Sequence, residues 1–299
     1  MKKHLLFLLL IPLLLVSCIL NQESISGVYK SNPFLEATDL GSSDTLTFPV
    51  LTDVHILREN RGQGISHPFE QFFDFCEGKT YPFAVSLGDL SDDGSRSDKV
   101  FEFIESLKGV TTGDYVIEVV GNHDRQSTPS YASVLEERKV SMHRYTYGCL
   151  SIYALDDSTR TFTSKQLDWL EQALKADTSR YKLFLAHENV CAGGNTTNTL
   201  FMSGLADVSE MNRFFSIMET YSVGLLLTGH THSGNHLYRG TGDKFAELNL
   251  ASFVATTSRF EPGGYWYEVS INLTNGSVIV DGYNYKTQGK AASWSFVLP

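Results

Sequence analysis

Beyond residue 45 the chain alternates short apolar runs with longer stretches in which apolar residues recur every three or four positions. The short runs predict strands at Leu46–Leu51, Phe83–Leu87, Tyr115–Val120, Leu150–Ala154, Lys182–Ala186 and Val223–Leu227. Between them, Phe69, Phe72, Phe73 and Cys76 fall at helical spacing, as do Val100, Ile104 and Leu107. Leu167, Leu170 and Leu174 repeat the pattern, and so do Val208, Met211, Phe215 and Met218. Thr163 or Ser164 is placed to cap the third of these helices. Strands alternating with helices predict an α/β layer fold. Near the C-terminus the pattern turns to β: Tyr265–Ile271 and Ser277–Tyr283 flank Asn275-Gly276, a hairpin signal, and are expected to complete a second sheet. The aromatic stripes on the helices have the spacing of a core face and imply no cofactor.

The start of the chain reads differently. Lys2 and Lys3 precede an almost unbroken apolar run from Leu5 to Val16, followed by Leu15-Val16-Ser17-Cys18, the layout of an export signal. The run is shorter than the roughly 20 residues of a spanning helix, and Pro12 interrupts it. The four residues ending at Cys18 resemble the lipobox of bacterial lipoproteins, which implies that residues 1–17 are removed and that Cys18 is acylated. Acyl chains there would hold an exported protein to a membrane without spanning it. Residues 18–45, rich in Ser, Asn, Gly and Asp, read as the lipidated Cys and a flexible tether, and residues 46–299 as one domain.

Net charge is −10, which opposes binding to a nucleic-acid backbone, so no nucleic-acid partner is expected. With Cys18 set aside, Cys76, Cys149 and Cys191 are odd in number and lack zinc-type spacing, so no disulfide framework is expected.

Candidate chemistry gathers where the strands end. The first is followed by Asp53-Val54-His55, the second by Gly88-Asp89, the third by Gly121-Asn122-His123-Asp124. The fifth is followed by His187 and the sixth by Gly229-His230-Thr231-His232. Carboxyl ends of strands in an α/β sheet share an edge, so these residues can converge across 180 positions of sequence. Five of the nine histidines sit at such ends, whereas His67, His143 and His236 do not and are read as structural or surface residues.

Asp-x-His, Gly-Asp, Gly-Asn-His-Asp, a lone His and Gly-His-x-His, in that order, resemble the motif series of the calcineurin-like metallophosphoesterases, from about residue 47 to residue 232. The resemblance implies an α/β fold, a four-layer α/β/β/α sandwich, and a binuclear metal centre. It assigns Asp53, His55 and His232 to one metal, Asn122, His187 and His230 to the other, Asp89 to a bridge, and His123 to the general acid. Imidazole, carboxylate and amide donors together suit two transition-metal ions such as Mn, Fe or Zn rather than Mg or Ca. Such a pair shares a hydroxide and clamps a phosphoryl group for in-line attack, so the expected partner is a phosphate mono- or diester. Related phosphatases place a carboxylate three residues after the bridging Asp, which makes Asp92 the expected orienting partner of His123, with Asp124 the competitor.

Sub-family features narrow the choice. Asp93 stands where protein serine/threonine phosphatases carry an Arg, and Asp92 where purple acid phosphatases carry an iron-binding Tyr. Only about 67 residues follow His232, too few for the second domain of exported 5′-nucleotidases. Glu188-Asn189 replaces the His-Pro pattern common in cyclic-nucleotide phosphodiesterases of this type, which weakens that reading without removing it. The remaining alternatives are a metal-dependent nuclease, a non-catalytic lipoprotein that binds phosphate-containing ligands, and a surface interaction protein that uses the fold only as a scaffold. The small-residue loop Asn189–Asp207 is a candidate substrate wall, and Arg125 a candidate grip on a phosphate oxygen.

Overall fold

The computed structural model describes residues 32–56, 58, 64–92, 98–124, 141–190, 208–257, 262–287 and 289–299. The leader, Cys18, Arg125 and residues 191–207 of the proposed substrate wall lie outside them. The strands in chain order are β1 (Ala37–Asp39), β2 (Thr45–Leu51), β3 (Ile65–Ser66), β4 (Ala84–Ser86) and β5 (Val116–Glu118). There follow β6 (His143–Tyr147), β7 (Leu150–Ala154), β8 (Tyr181–Leu185), β9 (Leu225–Thr228) and β10 (His236–Arg239). The last are β11 (Ala246–Asn249), β12 (Ala255–Thr256), β13 (Tyr265–Asn272), β14 (Ser277–Asn284) and β15 (Gly289–Val297). The helices are α1 (Phe69–Cys76), α2 (Asp98–Gly109), α3 (Ser164–Ala176) and α4 (Val208–Thr220).

β12 and β3 form a separate two-stranded ribbon. Of the two large sheets, one has seven strands in the order β1-β6-β7-β8-β9-β11-β10, and the other has six in the order β15-β14-β13-β2-β4-β5. Strand periodicity explains why they stack. Leu46, Phe48 and Val50 of β2 and Tyr267, Val269 and Ile271 of β13 face Leu150, Ile152, Leu183, Leu185, Leu225 and Leu227 of the other sheet in one buried core. The alternate residues point outward: Tyr153, Phe184 and Leu226 meet Leu167, Leu170 and Leu174 of α3 and Phe214 and Ile217 of α4. On the opposite face Ala84, Val116 and Trp266 meet Phe72 of α1 and Val100, Phe103 and Leu107 of α2. The result is the four-layer α/β/β/α sandwich. Thr163 caps α3 in a capping box: its hydroxyl accepts from Gln166 N at 3.3 Å, and Gln166 Oε1 accepts from Thr163 N at 2.8 Å.

The six strands expected from residues 46–227 form with small boundary shifts, and the Asn275-Gly276 hairpin joins β13 to β14. Residues 32–45 differ from the expectation. Phe34 is fully buried beside Tyr153, Asn32 Nδ2 donates to Trp169 O at 2.7 Å, and β1 pairs in parallel with β6. This stretch is therefore part of the domain rather than of the tether. A polar three-residue edge strand has no apolar alternation by which it could be read. Cys76 and Cys149 are free thiols. No described helix is long and apolar enough to cross a membrane.

Candidate metal centre

The site lies where both sheets present the carboxyl ends of parallel strands. β2, β4 and β5 run parallel in one sheet, and β8 and β9 in the other. Asp53, His55, Asp89 and the Asn122-His123 turn thus come from the six-stranded sheet, and His187, His230 and His232 from the seven-stranded one. The ligand-type residues, expected on one sheet edge, are divided between two facing edges. Asp53, His55, Asp89, His230 and His232 all have positive φ, between 50° and 70°, five of the ten non-glycine residues so described. Left-handed backbone in non-glycine residues is uncommon and persists where surrounding contacts impose it. At Gly121 a Cβ would collide with the Asp89 carboxylate, so only glycine lets the β5 turn approach the β4 turn this closely.

Three groups of acidic and imidazole side chains converge closely enough to hold a metal ion: Asp53-His55-His232, His55-Asp89-His123 and Asp89-His187-His230. His55 Nε2 and His232 Nε2 face each other at 2.9 Å, and His232 Nε2 stands 3.1 Å from Asp53 Oδ1. Asp89 Oδ2 lies 3.7 Å from His55 Nε2 and 3.3 Å from His187 Nε2, between the outer groups. His187 Nδ1 donates to Leu87 O at 2.8 Å, which leaves Nε2 with its lone pair towards Asn122 Oδ1, 3.2 Å away, and towards Asp89. Asp53 Oδ1 is buried and accepts no hydrogen bond. Lone pairs aimed at one another in a buried space need a proton or a cation between them, so these donors fit a metal ion.

The electrostatics agree. Burial opposes ionisation of Asp53, but His232 and His55 hold its carboxyl well below the usual range. Burial also opposes charge on His55, yet Asp53 and Asp92 push it up to about 9. His187 is raised against its burial, chiefly by Asp89. His230 is lowered to about 3 by burial and by the charge on His187. Without a cation the acidic groups are balanced by protons on His55 and His187, and a bound metal ion would displace them.

His123 reaches the centre edge-on to His55, with ring centroids 4.7 Å apart. Its Nδ1 donates to the backbone carbonyl of Asp92 at 2.7 Å. The carboxylate of Asp92 points elsewhere: its Oδ1 is 3.2 Å from His55 Nδ1 and 4.0 Å from Arg58 Nε. The expectation that the Asp92 side chain orients His123 is therefore corrected. The turn after Asp89 presents a main-chain oxygen to His123 and spends the carboxylate on His55. Asp124 does not take that role either. It accepts from the N–H groups of Asp89, Leu90 and Gly121 at 2.9 Å and of Ser91 at 3.2 Å, clamping the β4 and β5 turns together.

Three neighbours carried no sequence signal of their own. Glu188, 1 % exposed, sets Oε2 3.1 Å from His230 Nε2. Asp157, fully buried, accepts from His187 N at 3.0 Å and Glu188 N at 3.1 Å, fixing the loop after β8. Arg160 stands 3.3 Å from Glu188 through Nε. His67 and His143 are structural, as expected: His67 Nε2 donates to Val54 O at 2.8 Å, and His143 bonds Thr38 at 2.8 Å.

Known proteins carry the same arrangement of motifs. The signature of calcineurin-like phosphoesterases matches residues 46–234, more than half of the chain. The chain belongs to the calcineurin-like phosphoesterase family. It is 27 % identical over 203 residues to a Synechococcus protein named "Probable cyclic nucleotide phosphodiesterase", covering 64 % of this chain and 75 % of that one. Among solved structures it resembles GAP50, the anchor in the inner membrane complex of Plasmodium, with a TM-score of 0.59 and 13 % identity over 85 % of this chain and 89 % of that chain. It also resembles Vps29 from Cryptosporidium parvum, with a TM-score of 0.48 and 15 % identity over 85 % and 98 % of the two chains. At 13 % identity the likeness to GAP50 speaks to fold alone. The calcineurin-like phosphoesterase signature ends at residue 234, so β10, β11 and β13 to β15 complete the two large sheets beyond it.

Proposed function

We propose that this chain is an exported, membrane-tethered phosphoesterase that hydrolyses phosphate mono- or diesters at a binuclear centre of transition-metal ions. Asp53, His55 and His232 would hold one ion, Asn122, His187 and His230 the other, with Asp89 shared. The observation that carries the reading is the position of Asp89 Oδ2, within 3.7 Å of Nε2 on both His55 and His187, between two sets of donors. Ions bound there would supply an activated water and offset the charge of the phosphoryl group.

The chain's own residues account for the rest. Asp53 and Asp89 stay ionised by virtue of their histidine neighbours. Hydrogen bonds from Nδ1 of His187 to Leu87 O and of His123 to Asp92 O fix which ring nitrogen faces the site. His123 Nε2 is then the atom that can give a proton to the departing oxygen. Burial lowers the pKa of His123, which makes it a stronger acid, and the negative charge of a bound ester would favour its protonated form.

The Synechococcus relative's name favours a second reading, in which the ester is a cyclic nucleotide. Export and tethering rest on Lys2, Lys3, the apolar run from Leu5 to Val16, and Cys18. The test is hydrolysis of p-nitrophenyl phosphate, its bis ester and a 3′,5′-cyclic nucleotide by the Mn-loaded protein. Turnover of at least one supports the reading. A folded, metal-loaded protein inactive on all three with several metals would instead be a phosphate-binding lipoprotein.

A further inference from the structure

The loop between β7 and α3 lies beside the His187–His230 side of the site and is fastened to it twice. The buried carboxylate of Asp157 accepts from His187 N and Glu188 N at 3.0 and 3.1 Å. Arg160 Nε then pairs with Glu188 Oε1 at 3.3 Å, while the other oxygen of that carboxylate faces His230 Nε2 at 3.1 Å. Asp156, also buried, accepts from Ser158 N at 3.2 Å and from Ser158 Oγ at 2.6 Å, which stiffens the same turn. Arg160 N donates to Asp157 O at 2.7 Å, and the φ of Arg160 is +62°, a conformation that a bulky residue adopts only under constraint.

The side chain so held remains 40 % exposed while its partner Glu188 is 1 % exposed. A surface ion pair of ordinary kind would leave both partners wet and mobile. Here the guanidinium is carried to the wall of the metal centre by a buried acid, close enough for its charge to be felt by His230. Among the described residues its guanidinium pairs with no carboxylate other than Glu188.

We propose that Arg160, positioned by Glu188, binds non-bridging phosphoryl oxygens of the substrate and biases the site towards dianionic monoesters over monoanionic diesters; this rests on the phosphoesterase reading above. A guanidinium fork matches two phosphate oxygens. A monoester has three terminal oxygens and a second negative charge to offer. A diester has only two such oxygens and a single negative charge.

The experiment compares wild type with Arg160→Gln and Arg160→Lys as Mn-loaded full-length proteins, folded by thermal melt. It measures bound metal per chain, calorimetric binding of inorganic phosphate, and kinetics on p-nitrophenyl phosphate and its bis ester. Arg160→Gln should weaken phosphate binding at least tenfold and raise KM for the monoester more than it lowers kcat. It should also cut the monoester-to-diester ratio of kcat/KM at least fivefold, with metal content unchanged. Arg160→Lys should restore part of the phosphate affinity. Unchanged phosphate binding in the Gln variant, loss of metal from it, or equal losses on both esters would overturn the proposal. A wild type that binds phosphate through Arg160 yet hydrolyses neither ester would refute the hydrolase reading and leave the anion site standing.

Discussion

Replacing Asp92 separates two jobs that its turn performs. The carboxylate stands 3.2 Å from His55 Nδ1, whereas the main-chain carbonyl receives His123 Nδ1 at 2.7 Å. Asp92→Asn keeps the carbonyl and the volume but removes the charge that holds the Nδ1 proton of His55 and leaves its Nε2 lone pair facing the site. Loss of such a partner to a metal-bound imidazole typically costs 10- to 100-fold in metal affinity, about 1.4 to 2.7 kcal/mol. The Asn oxygen can still accept from His55, so Asp92→Asn should fall near tenfold and Asp92→Ala near 100-fold. Competition of Mn against a chromogenic chelator gives the affinity, and kinetics at saturating Mn give kcat, which should change little because His123 keeps its partner. Unchanged metal affinity with a tenfold drop in kcat would refute this reasoning and return Asp92 to the role of orienting His123.

Three further outcomes follow from the same geometry. His123→Ala should retain its metal and lose most activity, whereas Asn122→Ala should weaken one metal site; elemental analysis with kinetics distinguishes them, and equal metal loss in both would contradict the division of labour. Asp124→Ala strands four N–H groups that the carboxylate now receives; at about 1–3 kcal/mol for an unsatisfied buried group, less than additive here, denaturant unfolding should show a loss of about 3–5 kcal/mol. The metal-free protein should lose thermal stability between pH 6.5 and 9. Burial pushes Asp157 up to about 7 and Glu188 up to about 8, and carboxylate neighbours push His55 up to about 9. The folded state thus keeps protons that the unfolded chain has released, and stability falls as pH rises through that window. Melts of chelator-treated protein should show the slope and Mn-loaded protein a shallower one, because the metal removes the His55 contribution but not the burial of Asp157; a flat metal-free profile would count against a cluster held together by protons.

The layers and the convergence of ligand-type residues were legible in the sequence because both depend on repeated signals. Val-Val-Gly-Asn-His-Asp ends a buried strand, and four other strands end in similar polar groups, so no single residue had to carry the inference. What escaped is what has no period. β1, β10 and β15 are edge strands with largely exposed or half-buried patterns, so apolar alternation is weak or absent in them. Glu188, Asp157 and Arg160 are single residues whose meaning comes from partners 28 to 42 positions away, and charge pairing across loops has no spacing rule. The role of Asp92 was misread for a related reason: sequence places a residue near a target but does not say whether its side chain or its carbonyl faces it.

The place of β2 in its sheet has a consequence for the order of assembly. This strand leads into Asp53 and His55, yet its register with β4 covers two residue pairs and that with β13 covers six. Its main partner is therefore some 220 positions later in the chain. Contacts of such separation close slowly, since a long loop must be ordered before they reward it. During synthesis the first ligand strand has only its two-pair register with β4 until residues 265–272 have emerged. The ligand groups therefore take their final places only once the C-terminal strands have paired.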